Sequence, residues 1–263
     1  MAPLPCHLMR GMSVAHTWQQ GGRNGYGTPT SRATLEALRA LEVTWISLTP
    51  FGFQESLRAD AVQLVTAHSA GESDDRLRRE IEAAHAVGLK VLLKPHLWIE
   101  RGEWSGQIDP GSPEAWAHWF ESYRRFMMHY AALAQQTGCE MLTVGVELGS
   151  SSRAWPDHWR SLVAELRKVY AGPLVYAANW DEAYDIPWWN AVDYIGVQFY
   201  GPLTDHLEAS PSELSRGLKA HLDRYDALAT REGRPLLFTE VGYKSIRATA
   251  VRPHVWPEQL TSR

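Results

Sequence analysis

Cysteine is nearly absent from this chain. Cys6 and Cys139 are the only two in 263 residues, they lie far apart, and Cys139 opens a run that reads as a core strand, so a disulfide framework is excluded and a reducing compartment suits the chain. Runs of Lys or Arg are also missing. With a net charge of -4 and a sequence pI near 6.3, neither nucleic acid nor an anionic membrane surface is expected as a partner. No apolar run is long enough to span a bilayer, and Met1 to Arg10 lacks the basic start and apolar centre of a secretory leader; the expectation is a cytoplasmic protein. The patterns H-E-x-x-H, C-x-x-C, G-x-S-x-G and G-x-x-x-x-G-K-[ST] do not occur, which removes zinc peptidase, thiol redox, serine hydrolase and P-loop readings. The Gly-rich stretch from Gly21 to Gly27 lacks the spacing of a dinucleotide fingerprint, and His16 and His96 are too scattered to define a metal site. No cofactor and no metal are therefore expected.

No internal repeat, linker or low-complexity tract is visible, so residues 1–263 read as one domain, and 44% hydrophobic residues suffice for a large core. Tryptophan is plentiful: there are 12, and flat apolar rings with a polar edge suit both core packing and stacking on sugar rings. The most informative stretch is Cys139 to Ser150. Its aliphatic residues Leu142, Val144, Val146 and Leu148 alternate with Met141, Thr143, Gly145 and Glu147, the pattern of a buried strand that ends by presenting one carboxylate. Pro235 to Tyr243 has the same build and ends on Glu240.

Around these two strands, helices and strands alternate. Helices are expected from Thr30 or Ser31 to Ala40, Ser73 to Val87, Ser112 to Thr137, Pro156 to Tyr170 and Ser212 to Thr230. Strands are expected to begin at Met12, Val43, Leu89, Glu140, Leu174, Val192 and Pro235, with long loops over Phe51–Gly71 and Trp98–Gly111. Trp116, Phe120, Tyr123, Phe126 and Met127 form the apolar stripe of the third helix. Polar residues recur at the C-terminal ends of the strands and no Gly-rich first turn is present, so the pattern favours a TIM-type (β/α)8 barrel over an open doubly wound sheet.

Two carboxylates on separate strand ends are what cleavage of a glycosidic bond needs, one protonated to assist the leaving oxygen and one ionised to act at the anomeric carbon. Mutual repulsion and unequal burial can hold the first protonated near neutral pH. A single strand-end Glu is as readily a salt-bridge partner; two together favour catalysis. Lys94 and His96 on the third strand suit hydrogen bonds to sugar hydroxyls. Trp18, Asn179, Trp180, Tyr200 and Tyr243, at or just past strand ends, are candidates to bind or stack a sugar. Asp181 and Glu182 stand in reserve as carboxylates. On the residues alone two readings remain open: a retaining β-glycosidase, whether of glucan, xylan or another type, and an inactive carbohydrate-binding barrel.

The stretches GMSVAHTW, LKPHLW, WFESYRRFMMHYA, VGVELGS, YAANWDEAY, VDYIGVQFYGPL and FTEVGY resemble glycoside hydrolase family 113, a barrel family of the large clan A known for retaining β-mannanases. The resemblance implies Glu147 as acid/base, Glu240 as nucleophile and β-1,4-mannan or manno-oligosaccharides as substrate. Many members of the wider clan carry Asn just before the acid/base, to bind the sugar 2-hydroxyl. Here that position is Val146, and Asn179 is the candidate replacement.

The strand starts number seven, whereas a closed barrel of this type has eight. Lys244 to Arg263 contains Pro253 and Pro257 and no run suited to a core strand, while the resembling family continues with a helix, an eighth strand and a closing helix. The expectation is a barrel without strand eight, with an open edge that invites self-association.

Overall fold

The computed structural model describes residues 8–15, 24–64 and 73–255. The elements in chain order are β1 (Gly11–Val14), α1 (Pro29–Ala40), β2 (Trp45–Leu48), β3 (Phe51–Gln54), α2 (Asp74–Ala86), β4 (Lys90–Leu93), β5 (His96–Ile99), α3 (Pro113–Thr137), β6 (Met141–Val146), α4 (Gly149–Ala154), α5 (Pro156–Leu166), β7 (Leu174–Asn179), β8 (Tyr194–Phe199), α6 (Pro211–Glu232) and β9 (Leu236–Val241). Seven strands form one sheet in the order β1-β2-β4-β6-β7-β8-β9, every pair parallel. Helices cover its outer face.

The alternation seen in the sequence separates two packing layers. Leu142, Val144 and Leu148 of the β6 stretch join Ile195, Val197 and Phe199 of β8 in the large core beneath the helices. Leu92, Met141 and Val175 point to the other face, where Trp45, Tyr194 and Leu237 close over them. Side chains from β2, β4, β6, β7, β8 and β9 can meet in one cluster only if the sheet curls on itself. The result is the expected TIM-type barrel, nearly closed. β1 and β9 are its two edges. A cavity of about 490 Å3 lies between them, lined by Met12 of β1 and Val241 of β9 among others, and both side chains are exposed. Among the described residues no eighth barrel strand pairs with either edge.

Local signals account for the element ends. Proline occupies the first turn of α1, α3, α5 and α6, where its missing N–H has no helical partner to lose. Ser112 and Ser210 cap α3 and α6, the latter with a reciprocal bond to Glu213. α1 begins earlier than expected: Thr28, not Thr30 or Ser31, accepts from the Ser31 N–H. The loops expected after β2 and β4 also need correction. After Pro50 and Pro95 the two chains resume as β3 and β5, a second two-stranded parallel sheet in which Phe51 pairs with His96 and Phe53 with Trp98. The prolines obscure this continuation in the sequence because each removes an N–H, yet His96 N–H still reaches the carbonyl of Pro50 at 2.9 Å. This outgrowth extends one wall above the barrel mouth.

Candidate active site

Glu147 follows the last residue of β6 with φ of 50°, a left-handed conformation that costs a non-glycine residue about 1 kcal/mol. Hydrogen bonds on both sides hold it there. Its own N–H donates to the Ala177 carbonyl at 2.8 Å, and the next N–H, of Leu148, donates to the Tyr176 hydroxyl at 2.9 Å. That hydroxyl donates in turn to Glu182 at 2.6 Å. Glu182 is buried and also accepts from Ser152 Oγ at 2.5 Å and from the Asn179 N–H at 3.0 Å. A reserve carboxylate of the sequence is thus enclosed by donors from α4 and β7, so the structure gives it the part of a brace behind Glu147. Asp181 instead holds the Asn179 side-chain amide at 3.0 Å.

Glu240 lies on β9, registered opposite Gln198 of β8 across a local bulge. One of its oxygens is engaged by the Lys94 ammonium, and the other accepts from the Tyr200 hydroxyl at 2.7 Å. Lys94 is fully buried and donates as well to Gln198 Oε1 at 3.0 Å. Gln198 Nε2 then donates to Glu147 Oε1 at 2.8 Å. The two glutamates are therefore the ends of one chain, Glu147–Gln198–Lys94–Glu240, that crosses the barrel mouth.

Their electrostatics differ. Burial is the largest influence on Glu147 and raises its pKa; the bonds from Gln198 and from Trp104 oppose this without cancelling it, and repulsion from Glu240 adds to it. Burial also pushes Glu240 up, but the charge and hydrogen bond of Lys94 and the bond from Tyr200 outweigh it, so the net shift is downward. Burial and the nearby Lys94 charge lower His96 to about 4. It is neutral near pH 7, and its Nδ1 donates to the Leu97 carbonyl at 2.9 Å, leaving Nε2 unprotonated.

Five of the nine residues singled out from the sequence come together here: Glu147, Glu240, Lys94, His96 and Tyr200. Asn179 closes β7 in register with Gln198, at the rim of the same mouth. Trp180 and Tyr243 are otherwise engaged. The Trp180 ring packs on His221 and His254, and the Tyr243 hydroxyl donates to the Gly201 carbonyl at 2.7 Å. Trp18 and His16 lie outside the described residues. Two participants were not picked out: Gln198, although it shares the inward face of β8 with Tyr200, and Trp104, whose indole N–H donates to Glu147 Oε2 at 2.8 Å from the loop after β5. Same-face reasoning on β8 could have found the glutamine; nothing in the loop sequence marks the tryptophan. Among the described residues no group of three or more His, Cys, Asp and Glu side chains is placed to hold a metal ion.

The comparisons with known proteins agree with this geometry. The sequence model of Glycoside Hydrolase Family 113 matches residues 14–262. A solved structure described as a complex of a GH113 β-1,4-mannanase superposes with a TM-score of 0.80 at 28% identity, covering 95% of this chain and 77% of the other. The GH113 β-mannanase from Alicyclobacillus acidocaldarius, in complex with ManMIm, gives a TM-score of 0.78 at 31% identity, with 92% and 74% covered. A β-glucuronidase from Ruminococcus gnavus, 12% identical with a TM-score of 0.61 over 90% of this chain and 35% of that one, shares the fold alone. No curated protein matches the sequence. From a family match over nearly its whole length, with two strand-end glutamates facing one barrel mouth, the chain belongs to glycoside hydrolase family 113 and is a mannanase-like glycoside hydrolase.

Proposed function

We propose that the enzyme cleaves β-1,4-mannosidic bonds in mannan or manno-oligosaccharides with retention, Glu147 serving as acid/base and Glu240 as nucleophile. The observation that carries this reading is the opposite tuning of two carboxyls joined through one Gln–Lys bridge: Glu147 pushed toward the protonated form, Glu240 toward the ionised one. In the first step Glu147 gives its proton to the glycosidic oxygen while Glu240 attacks C1; the C1–O bond breaks, the leaving sugar departs as an alcohol, and a glycosyl ester forms on Glu240. In the second, Glu147 takes a proton from water, the resulting hydroxide attacks C1, and Glu240 leaves as the carboxylate. Lys94 and Tyr200 spread the charge that Glu240 carries before and after the ester. The unprotonated Nε2 of His96 suits acceptance of a sugar hydroxyl, and Asn179 is placed at the rim for the 2-hydroxyl. The substrate preference draws on the mannanase relatives. We further propose that the exposed β1 and β9 edges support self-association.

Azide separates the two roles. Glu240→Ala should regain turnover with azide and release an α-glycosyl azide from a β-linked substrate, and Glu147→Ala the β-azide. The same anomer from both variants refutes the assignment. Product analysis on mannan, glucan and xylan oligosaccharides decides the sugar.

A further inference from the structure

Each oxygen of Glu147 accepts one hydrogen bond, and both partners can only donate. Oε2 accepts from the Trp104 indole N–H at 2.8 Å and Oε1 from Gln198 Nε2 at 2.8 Å. The amide cannot turn round to offer its oxygen, because Gln198 Oε1 accepts from the Lys94 ammonium, which has no acceptor to give in exchange. An indole has no acceptor either. This arrangement favours the carboxylate: each oxygen keeps a second lone pair that a proton can occupy, but neither donor accepts an O–H in return, so both bonds work against the protonated acid. Gln198 is buried inside the barrel mouth; Trp104 is 44% exposed on a loop. The indole is therefore the donor that can move. It rests on a seat shaped for it: a methyl group at Gly106 would lie 2.4 Å from the indole ring, so only glycine there lets the ring lie down toward Glu147.

We propose that Trp104 gates the acid: its N–H holds Glu147 toward the ionised form, and the sugar arriving on the leaving-group side lifts that restraint by drawing the indole onto its own face. The inference rests on the acid/base role given to Glu147 above. A flat, half-exposed ring is the usual platform for the apolar face of a sugar. Lifting it exchanges one hydrogen bond for stacking area and leaves Oε2 facing the glycosidic oxygen. The acid thus holds its proton most firmly when there is a leaving group to receive it. The titratable groups facing Glu147 are Lys94 and Glu240 across the mouth, Glu182 behind it and Tyr200 beside it, and changes at Trp104 or Gly106 leave all four in place.

The test titrates Glu147 directly, by 13C NMR of δ-carboxyl-labelled glutamate, with the signal assigned by its loss in Glu147→Gln. Trp104→Phe keeps a ring and deletes the N–H; Gly106→Ala keeps the N–H and removes its seat. Loss of a hydrogen bond to a carboxylate should raise the Glu147 pKa by about one unit in each variant. The basic limb of kcat/KM on a manno-oligosaccharide should rise by the same amount. An unmoved Glu147 signal in Trp104→Phe overturns the gate whatever the enzyme's substrate is, and Gly106→Ala decides the matter should the first variant fail to fold. A shifted signal with no matching shift of the basic limb removes the acid role of Glu147, and the gate falls with it. Where Glu147→Gln abolishes the limb on an activated aryl glycoside and neither the signal nor the limb moves in the two variants, the gate alone is removed.

Discussion

Tyr176→Phe removes one oxygen from the brace behind Glu147. In the folded enzyme that hydroxyl is fully buried, accepts the Leu148 N–H at 2.9 Å and donates to Glu182 at 2.6 Å. Phenylalanine fits the same space, so no packing is lost and the change isolates the polar contacts. Leu148 N–H is left buried without this acceptor, at about 1–3 kcal/mol, and Glu182 loses one of three donors to a buried carboxyl, worth about 1.5–3 kcal/mol when that carboxyl is ionised. The two losses share one network and are not additive. The expected destabilisation is about 3 kcal/mol, or roughly 6–12 °C in Tm for a chain of this size. Urea unfolding followed by tryptophan fluorescence and circular dichroism measures it. A catalytic signature should accompany the loss, because the Leu148 N–H holds the peptide that aims Glu147. On a manno-oligosaccharide, whose leaving sugar needs a proton, kcat should fall further than on a dinitrophenyl glycoside, whose leaving group does not. A destabilisation below about 1 kcal/mol would show that the buried N–H and carboxyl have other partners and would refute the brace. Equal losses on both substrates would show that it does not aim Glu147 for proton transfer.

Lys94→Met should move the acidic limb of kcat/KM upward by about one unit or more, since Glu240 loses the cation that offsets its burial; an unmoved limb separates Lys94 from the proposed role of Glu240. Stability should follow the same carboxyls. Glu240, with its folded pKa lowered, stabilises above its unfolded pKa and ceases to do so as pH falls through the folded value. Glu147 and Glu182, with folded pKa values raised, lose stability as pH rises from their unfolded to their folded pKa. Glu147→Gln should therefore flatten the decline above about pH 4.5, and an unchanged stability profile contradicts this. Gly196→Ala would place a methyl carbon 2.3 Å from the Tyr176 carbonyl oxygen, a backbone atom that cannot yield without parting β7 from β8; a loss of about 3 kcal/mol or more, or insoluble protein, is expected, and a near-wild-type melt rejects it. Light scattering should show concentration-dependent association that Val241→Lys weakens, and a strict monomer across the micromolar range removes the edge proposal.

The barrel was legible because its strands repeat one rule, aliphatic residues outward and small or polar residues inward, and Leu142, Val144, Ile195 and Val197 obey it. Glu147, Glu240, Lys94 and Tyr200 could be placed at the mouth by the same rule, since period and polarity survive without knowledge of the neighbours. What escaped depends on neighbours. β3 and β5 are four residues each and exist because they pair with one another beyond two prolines. Glu182 looks like any loop carboxylate until Ser152, Tyr176 and the Asn179 backbone converge on it from two other elements and its own turn. Trp104 reaches Glu147 from a loop whose path is set by Gly106 and the turn around Ser105, and no local pattern encodes that reach. Trp180 and Tyr243 show the converse, since aromatics at strand ends look like site residues and are still taken up by packing.

The left-handed backbone at Glu147 sets the enzyme's robustness against its chemistry. Residue 147 is the least comfortable occupant of its own position, bearing a side chain where glycine would relax the backbone and an acid where burial resists charge. Glu147→Gly removes both penalties at once, whereas Glu147→Ala keeps the first. The glycine variant should outlast the parent on heating while losing turnover, and should melt above the alanine variant by roughly the worth of one relaxed φ, about 1 kcal/mol. For anyone selecting this scaffold for heat tolerance without also selecting for hydrolysis, the shortest route uphill leads through the loss of Glu147.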